Sequence, residues 1–156
     1  MLVESLYNKG EKTVKIKVVY HSSTGNTEKL ACAIADMQKI QAERIGKDKI
    51  TFSDKTDLLF IGDGIYWNGA HKKTKNFISK LDPDIIKNAA VFGTYGNQYK
   101  IGDILKNLLN ERGINVVGTP FTCKGKSVGT KNQGHPDEND LQMVCEFAQN
   151  IIAEID

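Results

Sequence analysis

The segment VKIKVVYHSSTGNTEKL, residues 14–30, decides the fold. Its first part alternates apolar and polar residues with the two-residue period of a strand, whereas Leu30, Ile34 and Met37 recur with helical spacing. The polar run between them therefore lies at a junction where a strand passes directly into a helix. We expect the strand at about residues 14–20 and the helix at about residues 26–38.

This junction has the chemistry of an anion-binding site. The first backbone N–H groups of a helix have no partner within the helix and lie at the positive end of its dipole. Gly25 lets the backbone close around an oxyanion, and polar side chains surround the same point. They belong to Ser22, Ser23, Thr24, Asn26 and Thr27. Such residues often serve only as helix caps, but this many around one glycine exceed what a cap requires. We favour a phosphate monoester held by neutral donors, because the loop has neither the lysine of a Walker motif nor the three glycines of a dinucleotide site.

Apolar strands and amphipathic helices alternate along the rest of the chain. Residues 57–62 and 88–93 are largely apolar runs that end in glycine, as in central strands buried on both faces. Further strands are predicted at 42–45 and 114–117, the latter continuing at 119–123, with helices around 77–81, 101–109 and 136–155. Short strand–helix alternation implies parallel pairing with right-handed crossovers. We predict a doubly wound α/β domain, a five-stranded parallel sheet with helices on both faces.

The domain is expected to comprise residues 14–156. Residues 1–13 show no clear periodicity and precede the first clear strand. We treat them as an N-terminal extension and assign them no role.

The composition excludes several classes of protein. Hydrophobic and charged residues make up 40% and 26% of the chain, no apolar run approaches a membrane span, and the N-terminus lacks a signal core. The net charge of +2 is spread along the chain, which gives little reason to invoke nucleic acid. Its local excess at residues 71–80 fits a solvated helix face and a partner site equally well. Three scattered cysteines fit a reducing cytoplasm and argue against a zinc or iron–sulfur site. We expect a cytoplasmic protein that binds neither nucleic acid nor membranes.

Two loops combine glycine with aromatic residues where predicted strands end. The first, GDGIYWNG at residues 62–69, holds the only tryptophan, and the second is GTYGNQY at residues 93–99. Aromatic residues in such loops favour two walls that enclose a planar ring. The alternative is that Tyr95 and Tyr99 simply cover the edge of the sheet.

The stretch SSTGNT, residues 22–27, resembles the phosphate loop of the flavodoxin family, Ser/Thr-x-Thr-Gly-Asn-Thr, at every position. The resemblance covers about residues 14–155. It implies the strand order 2-1-3-4-5, with the three loops meeting at the carboxyl ends of the strands. It also implies that the cofactor is flavin mononucleotide (FMN), with its phosphate in this loop.

The same resemblance gives roles to the aromatic loops. In the family, an aromatic residue of the first loop covers the inner face of the flavin and a tyrosine of the second covers the outer face. Tyr99 corresponds to the outer residue, and Tyr66 and Trp67 both remain candidates for the inner wall. The peptide that follows the inner aromatic residue bonds the reduced ring in the family, a role that falls here to Asn68 or Gly69. The other residues that we assign to the flavin site are Thr94, Tyr95, Gly96 and Asn97.

These features favour an FMN-binding electron carrier that serves redox partner proteins. No side chain is obviously poised as an acid or base, and His21 is interpreted as a neighbour of the anion. A small FMN-dependent NAD(P)H reductase of an organic substrate is the alternative, and a flavin-free phosphate-binding module is the third hypothesis. The chain is mildly basic, whereas flavodoxins are typically acidic around the flavin.

Overall fold

Strands and helices alternate along the chain as the periodicity predicts. The computed structural model describes residues 5–9, 12–52, 54–66, 69–97, 100–127 and 132–155, with the backbone alone for 5–9, 12 and 13. The strands are β1 (Ser5–Lys9), β2 (Lys12–Tyr20), β3 (Glu43–Arg44), β4 (Leu58–Gly64), β5 (Asn88–Tyr95), β6 (Asn115–Val116) and β7 (Phe121–Lys124). The helices are α1 (Asn26–Met37), α2 (Lys72–Ser79), α3 (Ile101–Glu111) and α4 (Glu138–Glu154).

The parallel part of the sheet has the predicted strand order. β2 pairs with β3 on one side and with β4 on the other, and β4 pairs with β5. Two short strands share the outer edge of β5, where β6 pairs with its start and β7 with its end. They correspond to the predicted fifth strand and its continuation. Gly118, with φ of 72°, and Pro120 lie between them, and both interrupt a regular strand.

The N-terminal segment contains a strand that the sequence did not indicate. Residues 5–9 form β1, which pairs antiparallel with the beginning of β2 from Ser5 opposite Ile16 to Lys9 opposite Lys12. The sheet is therefore mixed, and β1 is an addition to the five parallel strand positions that we predicted. β3 covers only Val19 and Tyr20 of β2, so the first half of that edge is available to β1. This pairing depends on which part of the β2 edge is free. The periodicity of residues 1–13 carries no information about that edge.

Each face of the sheet carries its own apolar core. Val14, Ile16, Val18 and Tyr20 pack with residues of α1 and α4 on one face. Val19 lies on the other face, in a core that includes residues of α2 and α3. Helices thus cover both faces, as predicted. No helix among the described residues is both long and apolar enough to cross a bilayer.

Lys17 is a buried lysine within this framework. Lys17 of β2 is 0% exposed, and its Nζ lies 3.2 Å from Glu43 Oε2. The same ammonium donates a hydrogen bond to the Thr51 carbonyl and lies 4.8 Å from the centre of the Phe52 ring. Lys17 therefore joins β2 to the short strand β3 and to the segment that follows it.

Close packing leaves no room for a side chain at Gly93, the last residue of the predicted run 88–93. A Cβ atom on Gly93 would lie 2.7 Å from Ile101 Cγ2 and 2.8 Å from the backbone oxygen of Asp63. We expect Gly93→Ala to lower the free energy of unfolding by about 1–3 kcal/mol, the usual effect of overpacking. Urea denaturation measures it. Gly64→Ala is the matched control, because its nearest neighbouring atom would be 3.6 Å away. Equal unfolding midpoints for the two variants would contradict this account.

Candidate functional site

A cleft opens at the carboxyl ends of the parallel strands. It has a volume of about 480 Å³, within the range of pockets that hold small cofactors. Its lining residues come from the ends of β4 and β5, from the start of α1, and from the segments that follow β2, β4, β5 and β7. They are Ser22, Ser23, Thr24, Asn26, Thr27, Gly64, Ile65, Tyr66, Thr94, Tyr95, Gly96, Gly125, Lys126 and Ser127.

The structure brings most of the predicted site residues to this cleft. All the polar side chains of residues 22–27 line it, with Tyr66 of the first aromatic loop and residues 94–96 of the second. Gly25 lies within the same loop as the N-cap of α1. Gly69 and Asn97 are not part of the lining. Trp67, Asn68 and Tyr99 lie outside the described residues, so their assignment to the flavin walls stays a prediction.

The side chains of the loop at residues 22–27 divide into two groups. Ser22 Oγ accepts a hydrogen bond of 3.0 Å from the Gly25 amide and so closes the loop. Asn26 donates to the Lys126 carbonyl, and Thr27 Oγ1 lies 2.9 Å from Thr94 Oγ1. These three side chains connect parts of the protein to one another.

Two side chains of the same loop remain directed to solvent. Ser23 and Thr24 are exposed and line the cleft. They stand beside the first turn of α1, whose leading N–H groups have no partner within the helix. Gly25 precedes this turn with φ of 91°, a left-handed conformation that suits glycine. Of the groups predicted to bind an anion, this leaves Ser23, Thr24 and the helix N-terminus as the candidates.

Tyr66 lies against this loop. Its Oη is 3.2 Å from the Ser23 amide nitrogen and 3.3 Å from His21 Nδ1. The Tyr66 backbone forms a two-way hydrogen-bonded bridge with Gly69, with N···O distances of 2.6 and 2.8 Å. Burial raises the pKa of the Tyr66 phenol, so the hydroxyl keeps its hydrogen.

A buried polar cluster beneath Tyr66 was not predicted from the sequence. Asp63 is 0% exposed, and its Oδ1 lies 3.2 Å from Nδ1 of the buried His21. The His21 ring stacks on His71, with 4.0 Å between ring centres. Burial and the neighbouring His21 lower the pKa of His71. The available signal was the carboxylate in Gly62-Asp63-Gly64, at the end of an otherwise apolar strand.

The segment at residues 125–127 also lines the cleft, although it was not assigned to the site. The Gly125 amide donates a hydrogen bond of 2.9 Å to the Tyr95 carbonyl. A Cβ atom on Gly125 would lie 2.7 Å from Asn26 Nδ2, so a glycine permits the close approach of the two loops. The signal was topological, because this segment directly follows the last strand at the edge where ligands bind in such sheets.

Two clusters of charged residues have structural explanations. His71 is the N-cap of α2, where its Nδ1 accepts from the Lys73 amide, and the lysines of this helix are exposed. His135, Asp137 and Asp140 bring three possible metal-ligand atoms together. Asp137 and Asp140 form the reciprocal capping box of α4, and His135 Nδ1 lies 2.8 Å from Asp140 Oδ2. The capping box accounts for the position of both carboxylates.

Comparison with known proteins shows the family. A family model of the flavodoxin domain matches residues 17–131. An uncharacterised protein of Methanocaldococcus jannaschii is 32% identical over 146 residues, covering 87% of this chain and 94% of the relative. The flavodoxin-like domain-containing protein BilS of Clostridioides difficile is 28% identical, with 89% and 97% covered. A solved flavodoxin from the domain Archaea superposes with a TM-score of 0.70 at 19% identity, covering 90% of this chain and 97% of that one. By its matched domain, and by the fold that carries it, this chain belongs to the flavodoxin family.

Proposed function

We propose that the protein binds FMN noncovalently in this cleft and carries electrons between redox partner proteins. The observation that carries the proposal is the exposed pair Ser23 and Thr24 at the open N-terminus of α1, in a cleft of about 480 Å³. These donors match a phosphate monoester. The family membership supports a flavin as the molecule that bears it.

The residues of the cleft fit such a cofactor at its phosphate end. Neutral donors and a helix N-terminus hold an anion, and Lys126 adds a basic residue to the lining. The end of β5 supplies Tyr95, an aromatic residue at the same edge, for a flat ring. When bound, FMN supplies the ring that accepts and donates electrons. The protein orients this ring and, by binding its redox forms unequally, sets its potential.

The first experiment tests binding. The purified protein, freed of any flavin, is titrated with FMN and with riboflavin, and quenching of flavin fluorescence gives both dissociation constants. We expect FMN to bind more tightly, because riboflavin lacks the phosphate. If the protein binds neither flavin, the proposed function is wrong and the flavin-free phosphate-binding module gains support.

The second experiment separates a carrier from a reductase. NADH or NADPH is added anaerobically to the FMN-loaded protein, alone or with a flavodoxin reductase, and cytochrome c serves as the final acceptor. A carrier is expected to lose its flavin absorbance and reduce cytochrome c only when the reductase is present. Rapid bleaching by a nicotinamide alone would contradict the carrier assignment and favour the NAD(P)H reductase.

A further inference from the structure

The hydroxyl of Tyr66 occupies a defined position between the phosphate loop and the buried polar cluster. It faces the Ser23 amide at 3.2 Å and His21 Nδ1 at 3.3 Å. The Ser23 N–H is a donor only, so Tyr66 Oη accepts that hydrogen bond. The direction of the second contact depends on whether His21 Nδ1 carries a hydrogen.

Asp63 determines that Nδ1 of His21 carries a hydrogen. The carboxylate accepts a hydrogen bond of 2.8 Å from the Gly64 amide at Oδ1 and one of 2.9 Å from the His71 amide at Oδ2. Both oxygens of this carboxyl group thus already accept a hydrogen bond. Its Oδ1 also faces His21 Nδ1 at 3.2 Å. An unprotonated Nδ1 would set two lone pairs against each other at that distance. His21 Nδ1 therefore carries a hydrogen and shares it between Asp63 and Tyr66.

His71 holds the His21 ring in this orientation. Its ring lies almost parallel to that of His21, with an interplanar angle of 19° and 4.0 Å between centres. Its Nδ1 accepts from the Lys73 amide at 3.1 Å, so this nitrogen carries no hydrogen. The packing of the two rings, together with the Asp63 contact, restricts the rotation of His21.

The remaining hydrogen of the network belongs to Tyr66. Its oxygen accepts from the Ser23 amide and from His21 Nδ1, so the O–H bond is left to point away from both groups. Tyr66 lines the cleft beside Ser23, whose exposed side chain is one of the two proposed phosphate donors. A phosphate oxygen bound by Ser23 and Thr24 would therefore lie next to this O–H group.

We infer that Tyr66 donates its phenolic hydrogen to the phosphate group of the ligand, and that Asp63 and His21 are positioning residues for it. The inference rests on the proposed function, since it takes a phosphate-bearing flavin as the ligand. It changes the expected role of Tyr66 from a wall for the ring to a recognition residue for the phosphate. Of the two candidates for the inner wall, it leaves that role to Trp67.

The test compares FMN with riboflavin in matched variants. Tyr66→Phe keeps the ring and removes the hydroxyl, and we expect FMN affinity to fall about tenfold or more, as for a lost hydrogen bond to a charged group. Riboflavin affinity should stay within about twofold, because no phosphate is present to lose the bond. Tyr20→Phe is the control, since the Tyr20 hydroxyl bonds Glu28 at 2.7 Å and Tyr20 does not line the cleft.

Variants of His21 test the positioning role. His21→Asn retains an N–H donor close to the position of Nδ1, whereas His21→Ala removes it. We expect His21→Ala to lower the ratio of FMN to riboflavin affinity and His21→Asn to restore much of it, a pattern that loss of packing alone would not produce. The His21 pair also decides the question if Tyr66→Phe fails to fold.

Two results would overturn the inference while the proposed function stands. In the first, Tyr66→Phe binds FMN as tightly as the unmodified protein. In the second, it binds FMN more tightly, which would mean that the hydroxyl competes with phosphate for the Ser23 amide. An unmodified protein that binds neither flavin contradicts the proposed function instead.

Discussion

Replacing Thr24 with aspartate is expected to reduce FMN affinity by at least about thirtyfold. Thr24 lines the cleft at the start of α1 with an exposed side chain. A phosphate monoester carries a charge of about −1.5 to −2 near neutral pH. Repulsion between unit charges 4 Å apart is about 1 kcal/mol in water and about 4 kcal/mol near a protein surface. Even at about the lower of these two values, a doubly charged phosphate loses about 2 kcal/mol of binding free energy. Because 1.4 kcal/mol is tenfold in affinity, this loss is about thirtyfold.

Thr24→Asn is the matched control for this change. Asparagine has nearly the shape of aspartate and no charge, so we expect it to retain most of the FMN affinity. Riboflavin should bind the Asp and Asn variants similarly, because it has no phosphate to repel. Fluorescence titration gives all four constants. Equal loss of FMN and riboflavin binding in Thr24→Asp would show that the variant disturbs the ring site or the fold, and would contradict a phosphate at this position.

Replacing Lys17 with methionine is expected to lower the free energy of unfolding by about 3–5 kcal/mol, the effect of removing one partner of a buried ion pair. The Lys17 ammonium lies 3.2 Å from Glu43, and the two side chains are only 1% and 8% exposed. Without the ammonium, the Glu43 carboxylate stays buried and loses this compensating charge. The loss is a large fraction of the roughly 5–15 kcal/mol that stabilises a typical domain. Urea denaturation at neutral pH measures it.

Two further variants show whether burial causes this effect. Lys15→Met removes a lysine from the same strand that pairs with Asp54 at 3.1 Å, with side chains 30% and 68% exposed. We expect it to change stability by less than about 1 kcal/mol, as for surface pairs. The double variant Lys17→Met/Glu43→Leu should recover most of the stability, because neither member of the buried pair is left without the other. If Lys17→Met costs no more than Lys15→Met, the buried pair has no special role.

The sequence predicts features that local spacing encodes. The strand-to-helix junction at residues 14–30 and the apolar strands that end in glycine determine the central sheet, and the structure has these elements in the predicted order. The polar loop at residues 22–27 could be assigned to one site because its residues are adjacent in the chain, and its polar side chains do line one cleft.

Features that depend on distant pairing could not be predicted in this way. Strand β1 forms because β3 leaves half of the β2 edge uncovered. His21 and Asp63 meet because their strands are neighbours in the sheet. Lys15 and Lys17 likewise both occupy polar positions in the alternation along β2. Of these two, only Lys17 is fully buried. The burial and the contacts of these side chains depend on tertiary structure, which residue spacing does not encode.

The connections between the loops of the cleft have a thermodynamic consequence. Thr27 contacts Thr94, and Asn26 contacts the Lys126 carbonyl, so both bonds join groups of the protein itself. Because these bonds need no ligand atom, they order the segments that they join, with a loss of conformational entropy, as part of folding. Association then requires less ordering of these parts of the cleft, so more of the contact energy appears as affinity. A variant such as Thr94→Val, which removes one connection, transfers that entropy loss to the binding step.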